Sequence, residues 1–225
     1  MGKNYTDIGP VESGNNGLFK PSLTEEVRGD SVYHLWLTRD IEEPYLYDDW
    51  FRKCDSANPD DLIVVHINCY GGNLDTAIQI YSALVSSDAP VLIRIEGACC
   101  SGAALIAMAG TYFDMNPLAY MMIHSWSGGA AGKFSNVIEN AEFQKRWFTN
   151  VMHSVYEDFC TKQEIESILN GKDLWLDFNE VMKRFDNMVE KRKTLVEKNN
   201  AKRNQMREKV EKMLDAKGMS LKDIV

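Results

Sequence analysis

No run in the 225 residues approaches the roughly 20 consecutive apolar residues that cross a bilayer, which excludes a membrane-spanning helix. Met1 to Lys20 is polar, contains glycine and has no apolar signal core, so an intracellular, cytoplasmic protein is expected. Cysteine is scarce and odd in number, five in all, with no Cys-x-x-Cys and no Cys/His cluster. That argues against structural disulfides and structural zinc, and no metal or other cofactor is expected. Positive charge is also short. The net charge is −8, and residues 1–180 hold 12 Lys/Arg against 26 Asp/Glu. An acidic body argues against nucleic-acid binding by the core. The exception is residues 181–217, with 12 Lys/Arg against 6 Asp/Glu. A solvated basic helix is the plain reading there, with an anionic partner as the alternative.

What is present is a strand-helix alternation. Residues 1–30 are poor in apolar side chains and broken by Gly9-Pro10, Gly14-Asn15-Asn16-Gly17 and Lys20-Pro21, so a flexible arm or loop is expected. Val32–Leu37 reads as a strand, and Pro44–Cys54 as a helix opened by its proline. Leu62–Asn68 is a β-branched run suited to a buried parallel strand, ending in Gly71-Gly72. Leu74–Ser87 has helical spacing. Val91–Ile95 is the next strand, followed by a serine turn and an Ala103–Ala109 helix. Tyr112–Met115 and Ala119–Ile123 read as short strands, Phe134–Phe159 as a long helix and Gln163–Leu169 as another. This order predicts α/β layers on a mainly parallel sheet. From Glu180 onward, Met182, Phe185, Val189, Val196, Met206, Val210 and Met213 form a weak heptad seam that Gly218 ends. Three regions follow: an arm (1–30), a body (31–183) and a basic helical extension (184–225).

The chemistry gathers at strand ends, where ligands collect in α/β sheets. Ser101 stands between Gly97-Ala98-Cys99-Cys100 and the small-residue helix beginning at Gly102. Tyr120-Met121-Met122-Ile123 ends in His124, and Asp173 is isolated in Gly171-Lys172-Asp173-Leu174-Trp175. Together they supply a nucleophile, a base and an orienter. The N–H groups of Gly72 and Gly102 could face a developing oxyanion. Each residue also has a plainer role. A serine before a helix is usually an N-cap, a histidine ending a strand is usually satisfied in place, and an aspartate before Leu-Trp is usually a turn residue. Cys99 and Cys100 offer a rival thiol, while His34, His66 and His153 read as structural.

Ile67-Asn68-Cys69-Tyr70-Gly71-Gly72, Cys99-Cys100-Ser101-Gly102-Ala103-Ala104, Met122-Ile123-His124 with Gly128-Gly129, and Lys172-Asp173 before Trp175-Leu176 resemble, in order, four motifs of the Clp protease proteolytic subunit (ClpP) family. The resemblance covers roughly residues 31–183. It implies an α/β, ClpP/crotonase-like fold of stacked βαβ units, with Phe134 opening a protruding handle helix. It also implies a serine endopeptidase with Ser101 as nucleophile, His124 as base, Asp173 as orienter, and an oxyanion hole at Gly72 and Gly102. Substrate would lie as an added strand between Asn73-Leu74 and Ser125, Trp126, Gly128 and Gly129. The implied assembly is a homo-oligomer, a heptameric ring or a tetradecameric double ring, that admits unfolded polypeptide.

Several positions depart from the family pattern. Tyr70 replaces a proline, Gly102 a methionine, Ser125-Trp126 a Gln-Pro pair and Lys172 an arginine. The family's N-terminal axial loop and first-helix pattern are not recognisable in residues 1–30, which leaves docking of an ATP-driven (AAA+) unfoldase open. Divergence of this shape resembles phage-encoded members. Two other readings stand beside the peptidase: a catalytically silent ring subunit or scaffold, and a crotonase-type acyl-CoA enzyme.

Overall fold

The computed structural model describes residues 22–28, 30–129, 131–194 and 198. They divide into two units, Met1–Phe185 and Asp186–Val225.

The first unit is built on one seven-stranded sheet. Its strands are β1 (Ser22–Arg28), β2 (Asp30–Leu37), β3 (Leu62–Cys69), β4 (Val91–Cys100), β5 (Tyr112–Met115), β6 (Tyr120–Ile123) and β7 (Leu174–Leu176). The order across the sheet is β1-β2-β3-β4-β6-β7, and β5 also pairs with β4. β2, β3, β4, β5 and β6 are joined by parallel pairings, while β1 and β7 add antiparallel edges. The helices are α1 (Asp48–Ser56), α2 (Leu74–Ser86), α3 (Gly102–Ala107), α4 (Phe134–Tyr156) and α5 (Lys162–Leu169), and residues 178–185 close the unit as a further helical stretch.

Alternation along the strands explains which face is covered. Leu35 and Leu37 of β2, Ile63, Val65 and Ile67 of β3, and Ile93 and Ile95 of β4 are all buried on one face. Burying each such side chain contributes about 1.5–3 kcal/mol. Trp50 of α1, Ile80 and Leu84 of α2 and the whole of α3 are buried as well. The opposite face is polar and aromatic, with His34 and Trp36 of β2, His66 of β3, and Arg94 and Glu96 of β4.

Two strands form from segments that carry no strand signal of their own. Ser22–Arg28, inside the stretch expected to be a flexible arm, pairs along its whole length with β2. Backbone hydrogen bonding to an open sheet edge forms it, and the Lys53 Nζ to Glu25 Oε2 contact of 3.2 Å ties it to α1. β7 forms in the same way against the free edge of β6. Pro44 opens a 3-10 turn (Pro44–Tyr47) rather than α1 itself, which starts at Asp48. Residues 1–21 and most of the heptad seam, including Val196, Met206, Val210 and Met213, lie outside the described residues. In the second unit, residues 186–194 and Lys198 are helical. Among the described residues, no helix is long and apolar enough to cross a membrane.

Candidate active site

Three parallel strands deliver the site. β2 runs toward Ile41, β3 toward Gly71-Gly72, and β4 directly into Ser101. Ser101 is the sole described residue other than glycine with a positive φ, at φ 56° and ψ −122°. A conformation of this kind costs about 1–3 kcal/mol and must be held by its surroundings. The hold is visible. The Ser101 N–H donates to the Met122 carbonyl at 2.8 Å, and the Ser101 carbonyl accepts from the Leu105 N–H at 3.2 Å. Gly71 makes room, since a Cβ there would lie 2.6 Å from the Ser101 Cβ. Ser101 therefore makes no side-chain cap for α3, and its hydroxyl is left for another partner.

That partner is His124. Its Nε2 lies 2.7 Å from the Ser101 Oγ, a nucleophile-to-base hydrogen-bond distance. β4 and β6 set the contact, because their parallel register (Cys100 opposite Met122) aligns the ends of the two strands.

Asp173 is placed by the antiparallel β6–β7 register. Ile123 faces Leu174, so one further step sets Asp173 across from His124. Asp173 is exposed, and no side-chain hydrogen bond joins it to His124.

Gly72 and Gly102 sit close together: a Cβ on Gly102 would lie 3.9 Å from the Gly72 N. Gly102 is the first residue of α3, so its N–H has no acceptor within the helix. Gly72 is held by a bridge to Ile41. The Ile41 N–H donates to the Gly71 carbonyl at 2.7 Å, and the Asn73 N–H donates to the Ile41 carbonyl at 2.8 Å. With φ at 142° and a Cβ position only 2.3 Å from the Ile41 oxygen, position 72 accepts only glycine. Ile41 went unnoticed in the sequence because it stands alone between polar residues.

The other candidate residues fall into two groups. Asn73 is engaged, its amide by Ile41 and its side chain as the α2 cap accepting from the Thr76 N–H. Leu74 and Trp126 line a cleft of about 80 Å³ that opens on Ser101 and His124. Gly128 lies under the Trp126 indole, while a Cβ on Gly129 would meet nothing within 4 Å. Ser125 follows the end of β6 without regular structure. The far walls, Leu105 of α3 with Phe148, Met152 and Tyr156 of α4, were missed in the sequence. Their spacing is that of any buried helix face, and nothing in it tells a cleft wall from core. Burial holds the Tyr156 hydroxyl well above its ordinary pKa, so it stays neutral.

The rival thiols, Cys99 and Cys100, and the nearby Cys69 do not line the cleft. Cys69, Cys99 and Cys100 are buried, and burial is the main cause of their raised pKa values, about 11 for Cys69. A buried, protonated thiol is a poor nucleophile. Among the described residues, no group of three His, Cys, Asp or Glu side chains could hold a metal ion.

A strained serine between strand and helix, a histidine on its hydroxyl and a pair of close-set glycines define a candidate serine-nucleophile site on an α/β sheet. The sequence pattern of the Clp protease family matches residues 52–191, more than half of the chain, and the chain belongs to that family. Its mixed sheet is of the ClpP/crotonase type. Among curated proteins, the chain is similar to the ATP-dependent Clp protease proteolytic subunit 1 of Rhodopirellula baltica, at 28% identity over 128 residues. The match covers 54% of this chain and 55% of that protein, so the chain spans about half the length of the curated relative it matches.

Proposed function

We propose that this chain is a serine endopeptidase that hydrolyses peptide bonds of unfolded polypeptides. The observation that carries the reading is the 2.7 Å contact between His124 Nε2 and the Oγ of a serine held at positive φ. His124 takes the Ser101 proton as Oγ attacks the scissile carbonyl carbon. The N–H groups of Gly72 and Gly102 receive the oxyanion. The imidazolium then gives its proton to the leaving amine, and water repeats the sequence on the acyl-enzyme. Asp173, one step along the register from Leu174, holds the histidine tautomer once its side chain turns inward. The substrate backbone lies along Ser125–Gly129, with its side chains in the cleft beyond Leu74 and Trp126.

The relative's name, an ATP-dependent protease proteolytic subunit, supports a chain that works as one subunit of an ATP-dependent protease. Our reading extends this to a homo-oligomeric ring in the cytoplasm, heptameric or tetradecameric, with an AAA+ unfoldase as its partner. Phe134, Ile138 and Phe143 give the first half of α4 an exposed apolar surface that a ring contact would cover. The test is hydrolysis of a short fluorogenic peptide by the purified oligomer. Turnover is expected in the native chain and absent in Ser101→Ala, and equal turnover in the two would overturn the reading.

One observation favours a second reading. The exposed, unbonded Asp173 fits a silent ring subunit. A protein that assembles by light scattering yet hydrolyses no peptide would establish that reading instead.

A further inference from the structure

Trp126 sets its indole against Gly128. A Cβ built on Gly128 would lie 2.1 Å from the indole Cζ2 and 2.4 Å from Cη2, so the six-membered ring rests on the Gly128 backbone. Any larger residue at 128 would displace it. The indole stays 37% exposed and stands two residues beyond His124, beside the same cleft as Ser101. Leu105, Phe148 and Met152 also line it, with Ser127 and the neutral Tyr156 hydroxyl. No residue lining the cleft carries an acidic, lysyl or arginyl side chain, so a charged substrate side chain would enter without a counter-ion.

Volume decides which apolar side chains fit. The cleft measures about 80 Å³. An apolar cavity that takes up benzene is about 150 Å³. An aliphatic side chain fits the smaller space, whereas a phenyl ring needs more room than the cleft holds with the indole as one of its walls.

We infer that Trp126, seated on Gly128, is a specificity-determining wall that closes the cleft beside Ser101 to aromatic side chains and leaves it open to aliphatic ones. The inference rests on the peptidase reading above and narrows its substrate class to peptide bonds following an unbranched or γ-branched aliphatic residue.

The test uses the full-length oligomer and fluorogenic peptides that differ only in the residue before the cleaved bond: Leu, Met, Phe or Lys. The native chain should cleave the Phe peptide with kcat/KM at least about tenfold below the Leu peptide, and the Lys peptide lower still. Trp126→Ala should raise the Phe-to-Leu ratio at least about tenfold. Gly128→Ala, which moves the indole without removing it, should shift the ratio the same way by less. Fluorophosphonate labelling of Ser101 is measured on each protein. An unchanged ratio in a variant that still labels overturns the inference, as does a native chain that takes Phe as readily as Leu. Loss of labelling in Trp126→Ala, Trp126→Leu and Gly128→Ala together, with the native chain still labelled, makes Trp126 a support of the site and also overturns it. Failure of the native chain to label sinks the peptidase reading itself, a distinct result.

Discussion

His124 and His66 are on strands of the same sheet, and each is completed where the other is open. His66 is 3% exposed, with its ring 3.7 Å from the Trp36 indole. Its Nδ1 meets Glu96 Oε1 at 2.7 Å, and its Nε2 meets His34 Nδ1 at 2.9 Å. That is a carboxylate–histidine chain set apart from the cleft beside Ser101. His124 has a serine hydroxyl and a cleft beside it, but donates no hydrogen bond to a carboxylate. On the proposed reading, a hydrogen-bonded carboxylate and imidazole do not by themselves make a reactive centre. Both ring nitrogens of His66 are spent on neighbours, so none remains to take a substrate proton. The proposed centre is marked instead by backbone strain at Ser101 and by glycines that let main chain approach it.

Breaking each half of this comparison should give opposite results. Ser101→Ala or His124→Ala should lower peptide turnover by about 10³-fold or more, with little change in thermal unfolding. His66→Gln should do the reverse. The melting temperature falls, because the buried His66 ring is lost together with its contacts to Trp36, Glu96 and His34, while labelling of Ser101 in the folded fraction holds. A His66 variant that folds normally yet fails to label would put the second histidine in the mechanism.

The next effect concerns the frame around the site. Gly72→Ala forces a Cβ onto the Ile41 carbonyl from a backbone at φ 142°. Turnover should drop by about 10²-fold or more, through the displaced N–H, alongside a clear loss of stability in urea titration. Native-like activity in this variant would remove Gly72 from the oxyanion site.

Asp173→Asn sharpens the comparison further. With the carboxylate exposed in the single chain, the expected fall in kcat is about 10- to 100-fold in the assembled protein, and smaller still in dilute, dissociated protein. Equal kcat for variant and native oligomer would mean that His124 works without an orienter, unlike the fully bonded His66.

The smallest effect lies away from both histidines. Hydrogen bonds from Arg184, at 2.7 and 2.9 Å, hold the Glu164 carboxyl at about 2 against an ordinary 4.5, helped by the Thr161 capping box. A depressed carboxylate contributes stability that is present above its unfolded pKa and is lost as pH falls through the folded one. Glu164→Gln should therefore cost about 2 kcal/mol at pH 7, a difference that closes between pH 4.5 and 2. A pH-independent difference would assign the cost to packing.

Much of the body was legible because its strands are long β-branched runs and its helices carry a 3.6-residue period. β1 and β7 were not, since Glu25-Glu26 and the three-residue Leu174–Leu176 gain their strand character from a neighbour's open edge rather than from their own pattern. At the site, Ser101 and His124 were legible as ends of strands, and the register brings them together. Ile41 and the α4 wall were not, because apolar residues beside a cleft and apolar residues in a core obey the same periodicity. The His34–His66–Glu96 chain was also silent in sequence: its members sit 30 residues or more apart on three strands, and only the sheet brings them together.

The most direct test of the central claim is a fluorophosphonate probe on the purified, assembled protein, with the modified residue located by peptide mass spectrometry. The account predicts a single adduct on Ser101 that is lost in His124→Ala and kept in His66→Gln. No adduct on Ser101 in folded, assembled protein, or one that survives His124→Ala at full rate, would contradict it.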